Sequence, residues 1–436
     1  MPHILAQGIE IATTALAVAG MGYFLTAMVA ARVFLGERRR PERIFAPGVS
    51  ILKSLKGLDP GMMDAFRSHC RQSYAGEFEL LFGVSSIDDP AAAAVRELQA
   101  EFPERPILLV ECKERLGANG KVSTLAQLAN LARHDFLLIN DSDITVGPRY
   151  LERVMGCFIS APFPKRGEHV EYSLAACEVY ADIYALHSEA RARGDEARLL
   201  QDELEAKRVG LVTTLYRGRA HGTLPSRFEA LGIATEFAPG VLVSKLLEGG
   251  LRFGLGSTLA VRREALEGAG GLLSLKDYLA DDYELGARVA KAGYHVMLSG
   301  EVVETSVPAY GWGAFVTHQL RWLRTVREAR PGGYTGLIFT HGLALALVNV
   351  LASGMSLVSL WLLALSFFLR LAQAMTVGAA VLSDHEVLPN LWLLPLRDLM
   401  AMGLWVAGFA GDTIVWRGER FALKDGRLER ISNPDN

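Results

Sequence analysis

Residues 136–143 read FLLINDSD, and they decide the architecture predicted for the chain. Residues 136–139 form an apolar run that is typical of a buried strand, and polar residues follow at once. The Asp-x-Asp pair of Asp141 and Asp143 therefore falls at the carboxyl end of a strand, where open α/β sheets bind their ligands. Two carboxylates one residue apart in a turn can hold a hard divalent cation, which neutralises a bound diphosphate.

Short apolar runs alternate with helical patterns on both sides of this pair, across residues 45–335. The predicted strands cover residues 49–52, 78–84, 107–110, 136–139 and 210–216. This alternation predicts an α/β fold of the Rossmann-like type, with a mostly parallel sheet and crossover helices. Residues 162–208 interrupt the pattern with a charge-rich helical segment. We predict a solvated insertion there, with a partner-docking or membrane-surface segment as the alternative.

The amino-terminal end is apolar and long enough for a membrane anchor. Residues 11–31 carry no charge, and at ~1.5 Å per residue they can cross a hydrocarbon core of ~30 Å. A cleaved signal peptide would have its basic residues before the apolar stretch. Here they follow it, at Arg32, Arg38, Arg39, Arg40 and Arg43. We therefore predict an uncleaved anchor over residues 9–35, followed by a domain that faces the cytoplasm.

The carboxyl-terminal end is also apolar, and we predict transmembrane or interfacial helices over residues 336–416 and a basic tail over residues 417–436. The uncharged run of residues 336–369 exceeds one perpendicular span. It can begin at the interface, tilt, or break near Ser353 and Gly354. Charged residues within the last apolar stretch should face protein, water or headgroups. Two carboxyl-terminal crossings would return the tail to the cytoplasm, whereas three would not.

The composition limits the partners of the chain. Of its 436 residues, 50% are hydrophobic and 21% are charged, which fits a membrane part beside a water-exposed domain. The net charge of -3 gives no basic field, so we predict no nucleic-acid partner. The four cysteines lack Cys-x-x-Cys spacing, so neither a disulfide framework nor a zinc site is expected.

Two further acidic positions open a predicted helix. Asp281 and Asp282 precede a helical pattern, where an aspartate often serves as an N-cap worth about 1 kcal/mol. A carboxylate there can also act as a general base toward a hydroxyl. The other acidic clusters in the chain favour the general base.

Three residues nearer the amino terminus leave two interpretations open. Asp88 and Asp89 precede Pro90, so they can cap the next helix or line a nucleobase pocket. Lys121 follows a short Gly-containing loop, so its ammonium group can reach a phosphate or simply lie in the first turn of a helix. Neither pattern decides the question alone.

A basic amphipathic helix is predicted around His318, Arg321 and Trp322. Arginines recur every three residues from Arg321 to Arg327, close to one helix face. They can lie on anionic headgroups with the tryptophan in the membrane interface. Alternatively, the histidine and arginine contact a diphosphate or an acceptor while the tryptophan packs a pocket. The two interpretations are compatible.

In this order, the segments resemble the ceramide glucosyltransferase family, which is glycosyltransferase family 21 and a relative of the family-2-like GT-A group. The matching segments are residues 51–57, 82–90, 119–121, 141–143, 215–218, 256–258, 280–283 and 320–322. The block from His318 to residue 334 is most similar to the bacterial branch, which includes hopanoid-associated glycosyltransferases. The resemblance covers about residues 45–345.

The resemblance implies an integral membrane enzyme with a GT-A catalytic domain at the cytoplasmic face of the bilayer. It would move a hexose, either glucose or N-acetylglucosamine, from a UDP-sugar to a lipid hydroxyl with inversion, and it would use Mg²⁺ or Mn²⁺. The acceptor would be a lipid such as ceramide or a hopanoid. By position, Asp141 and Asp143 would contact the metal and diphosphate, and Asp282 would be the general base with Asp281 beside it.

The resemblance also implies a set of substrate-binding residues: Lys53, Ser86, Asp88, Asp89, Lys121, His318, Arg321 and Trp322. Two of these depart from the family pattern. Ser86 stands where the family has its first aspartate, which Asp88 and Asp89 could replace, and His318 stands where the family has glutamine or arginine. The alternatives are a polysaccharide-type transferase of the same fold and a non-catalytic membrane scaffold that keeps a nucleotide-binding fold.

Overall fold

A computed structural model describes residues 2–39, 44–159, 209–416 and 419–431 of the chain, so the predicted insertion at residues 162–208 lies outside the described residues. Eight strands form the central sheet: β1 (Val49–Ser54), β2 (Phe78–Val84), β3 (Ile107–Glu111), β4 (Phe136–Ile139), β5 (Ile144–Thr145), β6 (Val209–Ala220), β7 (Leu259–Arg262) and β8 (His295–Val307). Their order across the sheet is β3-β2-β1-β4-β7-β6-β8-β5.

The sheet is mostly parallel. β1 pairs in parallel with β2 and β4, β2 with β3, and β6 with β8. β7 runs antiparallel between β4 and β6, and β5 runs antiparallel at the edge. The α/β class with a mostly parallel sheet that the sequence predicts is therefore confirmed.

The described helices are α1 (Pro2–Arg38), α2 (Met62–Cys70), α3 (Pro90–Glu101), α4 (Gly120–Ala129), α5 (Tyr150–Gly156), α6 (Leu224–Gly232), α7 (Ala238–Glu248), α8 (Arg263–Gly268), α9 (Asp281–Lys291), α10 (Trp312–Ala329), α11 (Pro331–Gly336), α12 (Gly342–Ala352), α13 (Leu357–Ala374), α14 (Val387–Asn390) and α15 (Leu394–Gly408). Two wider π-helical segments, Ile233–Phe237 and Met375–Val381, follow α6 and α13.

Both faces of the sheet are covered, because alternate residues of a strand point to opposite sides. On β1, Ile51 packs in a core with α2, α3 and α5, whereas Leu52 packs with α4, α7 and α9 on the other face. Phe34 of α1 joins this second core. The amino-terminal helix is thus anchored on the face that also carries α9.

Among the described residues, five segments are long and apolar enough to cross a membrane by length and composition: Gln7–Arg38, Leu224–Glu248, Pro331–Ala352, Leu357–Val381 and Val387–Gly408. The outer face of α13 leaves large apolar side chains exposed: Leu357, Val358, Trp361, Leu365 and Phe368. A contiguous exposed apolar surface of this kind is typical of contact with lipid. The chain therefore has the character of a membrane protein.

A helical hairpin lies along α1. α12 runs antiparallel to α1, with Gly342 packed on Gly20 and the Asn349 amide donating to the Glu10 carbonyl at 3.0 Å. The chain then reverses at Gly354, whose φ of 63° favours glycine, and α13 returns beside α1. Of the three alternatives for the long uncharged run, the structure has the break at Ser353 and Gly354.

The last apolar helix, α15, is not part of this hairpin. At its start, Arg397 Nε donates to the Phe228 carbonyl of α6 at 3.1 Å. At its end, the Gly408 carbonyl accepts from Arg327 Nη1 of α10 at 2.7 Å. Both ends of α15 therefore lie against helices of the domain predicted at residues 45–335.

The last apolar helix ends at Gly408, before the boundary predicted at residue 416. A second, antiparallel sheet follows α15, with β9 (Thr413–Trp416), β10 (Glu419–Lys424) and β11 (Arg427–Arg430) in the order β11-β10-β9. Arg324 donates to the carbonyls of Ala410 and Thr413, in the segment that follows the end of α15 at Gly408. Phe421 buries its ring against Leu279, so much of the predicted basic tail is a folded sheet.

An apolar helical segment also lies within the predicted water-exposed domain. Leu224–Glu248 contains α6 and α7, and 67% of its most apolar stretch of 18 residues is buried inside the protein. Lys245 of α7 pairs with Glu37 of α1 at 2.7 Å. The central sheet and the apolar helices thus share this segment, which the sequence did not predict.

Candidate active site

The Asp-x-Asp turn lies at the carboxyl end of β4, as predicted, and a buried lysine supports it. Lys53, near the end of β1, donates Nζ to the Asp141 carbonyl at 3.0 Å. Burial lowers the pKa of Lys53 to about 7, although the charges of Asp143 and Asp141 act in the opposite direction. The structure therefore places Lys53 on the backbone of the turn.

Lys121 joins two of the acidic clusters. Its Nζ lies 2.8 Å from Asp141 Oδ1 and 3.4 Å from Asp281 Oδ2. Burial acts to lower the pKa of Lys121, but the two carboxylates outweigh burial and raise it. The ammonium group thus bridges the turn after β4 and the start of α9. Lys121 therefore does more than lie in the first turn of α4.

Asn119 fixes the position of Lys121. Its Oδ1 caps α4 by accepting from the Val122 amide at 3.1 Å, while its Nδ2 donates to the Tyr278 carbonyl at 2.7 Å. Asn119 is fully buried. One side chain therefore starts α4 and holds the segment before α9 against it, which brings Asp281 to the cleft.

Asp282 and Asp141 face the same glycine. The site of a Cβ on Gly256 would lie 3.0 Å from Asp282 Oδ2 and 3.3 Å from Asp141 Oδ2. Burial raises the pKa of Asp282 to about 6, and the charge of Asp281 adds to this effect. The N-cap of α9 is Ala280, which has no capping side chain. Asp282 Oδ1 accepts from the Tyr283 amide at 2.7 Å, so one oxygen of Asp282 serves the first turn of α9 while Oδ2 faces Gly256.

Asp143 is held on β8. Its Oδ2 accepts from Thr305 Oγ1 at 2.5 Å and from the Ser306 amide at 3.2 Å. Burial raises the pKa of Asp143 to about 6, and the charges of Asp141 and Asp59 act in the same direction. Asp59 itself accepts a hydrogen bond from Ser142. The turn is thus fixed from both sides.

The cleft has more negative than positive groups. Its carboxylates are Asp59, Asp141, Asp143, Asp281 and Asp282, and its ammonium groups are Lys53 and Lys121. Within the described ranges, no three His, Cys, Asp or Glu side chains are grouped so as to hold a metal ion by themselves. The residues fit a hard cation that takes some oxygen ligands from Asp141 and Asp143 and the others from a diphosphate.

Three residues after β2 were predicted to bind substrate, and one of them, Asp89, has a clear structural role. Asp89 caps α3 through the Ala91 amide at 2.9 Å and also accepts from the Gly57 amide at 2.9 Å. The Asp88 amide donates to Ser86 Oγ at 3.2 Å, and the Asp88 side chain is exposed. Of the two interpretations for Asp89, the structure shows the helix cap, which also ties down the loop after β1.

The helix α10 carries the predicted motif, and a carboxylate of α6 holds it. Glu229 Oε2 lies 3.1 Å from His318 Nδ1 and 3.2 Å from Gln319 Nε2, and Tyr310 donates its hydroxyl to the same oxygen at 2.5 Å. Glu229 was not predicted from the sequence. The signal was present, because an acidic residue inside an apolar stretch requires a polar partner.

An aromatic wall connects this motif to the acidic cleft. The Trp322 ring lies 6.4 Å from the Phe237 ring, which lies 5.0 Å from the Tyr216 ring. Burial and the charge of Asp282 raise the pKa of Tyr216. The aromatic wall therefore extends from Trp322 to Tyr216, which lies near the acidic cleft.

The arginine stripe of α10 divides by function. Arg324 donates to Thr413 and Ala410, and Arg327 donates to carbonyls at the end of α15. These two arginines stabilise the turn into the second sheet, so they do not serve as headgroup contacts. Arg321 lies one turn before Arg324 and one turn after His318.

Comparison with known proteins gives the family of the chain. The model of "Glycosyl transferase family 21" matches residues 12–163 and 187–429. The chain belongs to glycosyltransferase family 21, so the resemblance seen in the motifs is confirmed.

Two curated relatives and one solved structure illustrate the comparison. Ceramide glucosyltransferase 3 of Caenorhabditis elegans is 23% identical over 390 residues, with 87% of this chain and 73% of the relative covered. A ceramide glucosyltransferase of Pyricularia oryzae is 20% identical over 434 residues, with coverages of 87% and 84%. The mannosyltransferase PcManGT of Pyrobaculum calidifontis, solved with GDP-Man and Mn²⁺, is 18% identical with a TM-score of 0.48, over 92% of this chain and 97% of that one.

Proposed function

We propose that the protein transfers a single hexose from a UDP-sugar to the hydroxyl group of a membrane lipid, with inversion at the anomeric carbon. The observation that carries this proposal is the meeting of Asp282 and Asp141 at Gly256, with Lys121 between Asp141 and Asp281. The names of the curated relatives favour glucose as the sugar and ceramide as the acceptor. N-acetylglucosamine and a hopanoid are the other donor and acceptor to test.

Asp282 is the general base in this proposal. A carboxylate whose pKa is about 6 is ionised at neutral pH and is a better base than an exposed aspartate. It takes the proton from the lipid hydroxyl while the hydroxyl oxygen bonds to the anomeric carbon. The bond from that carbon to the diphosphate oxygen breaks, and its electron pair leaves with UDP. One displacement inverts the carbon without a covalent intermediate.

Asp141 and Asp143 would hold Mg²⁺ or Mn²⁺ together with the donor diphosphate. The bound cation supplies neutralisation of the charge that develops on the leaving diphosphate. Lys121 lies beside this position, so its ammonium group adds a second positive charge near the phosphates. Lys53 and Thr305 keep the two aspartates in place.

The acceptor reaches the cleft from the bilayer in this proposal. Arg38, at the end of α1, packs beside Gly300 of β8 and donates to the Val381 carbonyl, so the basic end of the anchor lies at the sheet. By the positive-inside rule this end faces the cytoplasm. The hairpin of α12 and α13 then supplies two crossings, and α15 lies at the membrane surface.

Product analysis tests this function directly. Membranes that contain the full chain are incubated with labelled UDP-glucose or UDP-N-acetylglucosamine and with ceramide or a hopanoid polyol, and the lipids are extracted. We expect one sugar per lipid, with membranes carrying the Asp282→Asn variant as the background. A labelled polymer would indicate a polysaccharide-type transferase instead. Neither transfer nor hydrolysis would indicate a scaffold.

A further inference from the structure

A cluster of polar side chains lies among the apolar helices, apart from the acidic cleft. Each of the five candidate membrane spans contributes to it, and the contributing residues are Tyr23, Glu236, His341, Arg370, Arg397 and Asp398. Ionisable groups are costly in apolar surroundings and are kept there for structure or for function. In one half of the cluster the arginine has all of its hydrogen bonds, whereas in the other half three polar atoms have none among the described residues.

The first half is saturated. Arg370 forms a two-pronged ion pair with Asp398, with Nε at 2.8 Å from Oδ2 and Nη2 at 2.7 Å from Oδ1. Its Nη1 also donates to the Thr235 carbonyl at 3.0 Å and to the Gln373 amide oxygen at 2.5 Å. All of the Arg370 nitrogens have partners, so this half holds α13, α15 and the segment after α6 together.

The second half has unmet hydrogen-bonding capacity, and we call it the polar pocket. It consists of Tyr23, Glu236, His341 and Arg397. Arg397 Nη2 pairs with Glu236 Oε2 at 2.9 Å, but its Nη1 has no hydrogen-bond partner among the described residues. The same holds for the hydroxyl of Tyr23 and for Nε2 of His341, and all three atoms are buried.

Buried polar atoms without partners are rare in folded proteins, and they mark positions for water or a ligand. Arg397 and His341 are only 5% and 3% exposed, whereas the Glu236 side chain keeps 25% of its surface accessible. Glu236 is therefore the accessible member of the pocket. The three unpaired atoms are shielded from solvent, so a ligand that contacts Glu236 reaches them only when side chains of the pocket move.

The chemistry of the pocket selects the ligand. A guanidinium donates hydrogen bonds, a carboxylate accepts them, and a hydroxyl or imidazole can do either. The whole cluster has two carboxylates and two guanidinium groups, so its charges balance. A neutral ligand that both donates and accepts fits these groups, whereas an anionic phosphate would meet Glu236 and Asp398 without an added cation.

The position of the pocket connects it to the cleft. Glu236 precedes Phe237, whose ring contacts Tyr216 and faces Trp322 in the aromatic wall. We propose that the polar pocket binds the hydroxyl or amide groups of an uncharged lipid headgroup, which is the acceptor beside the transfer site. Only the assignment of this lipid as the acceptor rests on the proposed function.

The test compares two tyrosines that differ in their partners. The Tyr23 hydroxyl has none among the described residues, whereas the Tyr334 hydroxyl donates to the Trp405 carbonyl at 2.6 Å. The full chain in detergent is melted with and without a short-chain N-acyl sphingosine, and affinity is taken from the dose dependence of the melting temperature. Phosphatidylglycerol is the anionic comparison lipid, and UDP affinity is measured by calorimetry.

We expect Tyr23→Phe to melt at or above the wild-type temperature without lipid, because it removes an unpaired buried hydroxyl. Its affinity for the amide lipid should fall by about threefold to tenfold, which is the effect of one hydrogen bond. Tyr334→Phe should melt at a lower temperature but keep the wild-type lipid affinity. Glu236→Gln should weaken the amide lipid further, and UDP affinity should stay unchanged in all three variants.

Unchanged lipid affinity in Tyr23→Phe, or equal stabilisation of the wild type by phosphatidylglycerol, would overturn the proposal. A wild-type chain that binds the amide lipid through Tyr23 but transfers no sugar would retain the pocket and refute the proposed function. A chain that transfers sugar normally while Tyr23→Phe binds lipid as the wild type does would refute the pocket alone.

Discussion

Asp282 is the residue on which the proposed chemistry depends most. In Asp282→Asn the side chain keeps its shape but cannot accept the acceptor proton. We expect transfer to fall by about 10²- to 10⁴-fold, which is the usual contribution of a general base. UDP affinity, measured by calorimetry with Mn²⁺ present, should change little, because the proposed metal and diphosphate contacts belong to Asp141 and Asp143.

Asp64→Asn is the matched control for this change. Asp64 lies in the first turn of α2 with its side chain 70% exposed, so its amide variant should transfer sugar at the wild-type rate. Transfer by Asp282→Asn within a few-fold of the control would remove the assigned base.

Gly256 tests the geometry of the cleft without removing any charge. A Cβ at this position would lie 3.0 Å from Asp282 Oδ2 and 3.3 Å from Asp141 Oδ2, so both carboxylates would have to move. Contacts of this length require shifts of a few tenths of an ångström. Since a displacement of about 1 Å at a reacting group can cost about 10²-fold in rate, we expect a loss of roughly threefold to tenfold. Gly256→Ala should show this loss of transfer activity while it remains folded, as measured by kinetics and thermal melting.

Gly313→Ala provides the comparison. Gly313 lies in α10 with nothing within 4 Å of its Cβ position, so alanine should be tolerated and should stabilise the helix by about 0.5–1 kcal/mol. If both alanine variants transferred sugar equally well, the space beside Gly256 would have no role in the reaction.

At the scale of secondary structure, the sequence predicted the strands that are rich in apolar residues. β4 is apolar throughout, whereas β1 and β2 are largely buried and contain polar residues, such as Lys53 and Glu79, within their apolar runs. β5 has only two residues, and the insertion of β7 between β4 and β6 depends on tertiary pairing that no local pattern encodes. Asp141 and Asp143 were predictable as residues at a strand end because they follow the apolar run of β4.

The elements at the membrane boundary were harder to predict. α7 packs between the sheet and α1, and α6 packs between β6 and the helices α10 and α15. Both are apolar for this reason, since burial in protein gives the same composition as burial in lipid. The second sheet depends on Phe421 and Leu428, which alternate with charged residues. A short amphipathic run at a chain end resembles a basic tail until its partner, Leu279, is known.

The loop after β2 offers a test at this scale, because Asp89 serves two backbone amides. Asp89→Asn keeps an oxygen that can accept from Ala91 and Gly57, whereas Asp89→Ala removes it. We expect the alanine variant to lose about 1–2 kcal/mol of unfolding free energy, from the cap and the loop bond together. The asparagine variant should stay close to the wild type in stability and in its KM for the UDP-sugar. A large rise in KM with unchanged stability would indicate instead that Asp89 contacts the nucleobase.

Over the whole molecule, the cleft joins segments that are far apart in the chain. β1, α4, the turn after β4, α9 and β8 each contribute a side chain to it, while α1 and the π-helical segment Met375–Val381 pack behind the same sheet face. The acidic groups therefore depend on the complete fold, and their repulsion is a cost to that fold. A cation that binds there should stabilise the protein as a whole.

The pH dependence of that stabilisation follows from the raised pKa values. Asp143 and Asp282 have pKa values of about 6 in the fold, against about 3.9 in an unfolded chain. Their protonation therefore stabilises the metal-free fold at low pH, and this stabilisation is lost as pH rises through about 6. Mn²⁺ must displace the proton of Asp143, its proposed ligand, so its affinity should fall by about tenfold per pH unit below 6.

The measurement is the rise in melting temperature that Mn²⁺ causes in the presence of UDP, which should be larger at about pH 7.5 than at about pH 5. Burial lowers the pKa of His69 to about 3, so its protonation also shifts stability below neutral pH. That shift is common to samples with and without Mn²⁺ and cancels in the difference. Asp143→Asn should abolish most of the rise at both pH values. An equal rise at both pH values in the wild type would mean that the cation binds away from these carboxylates.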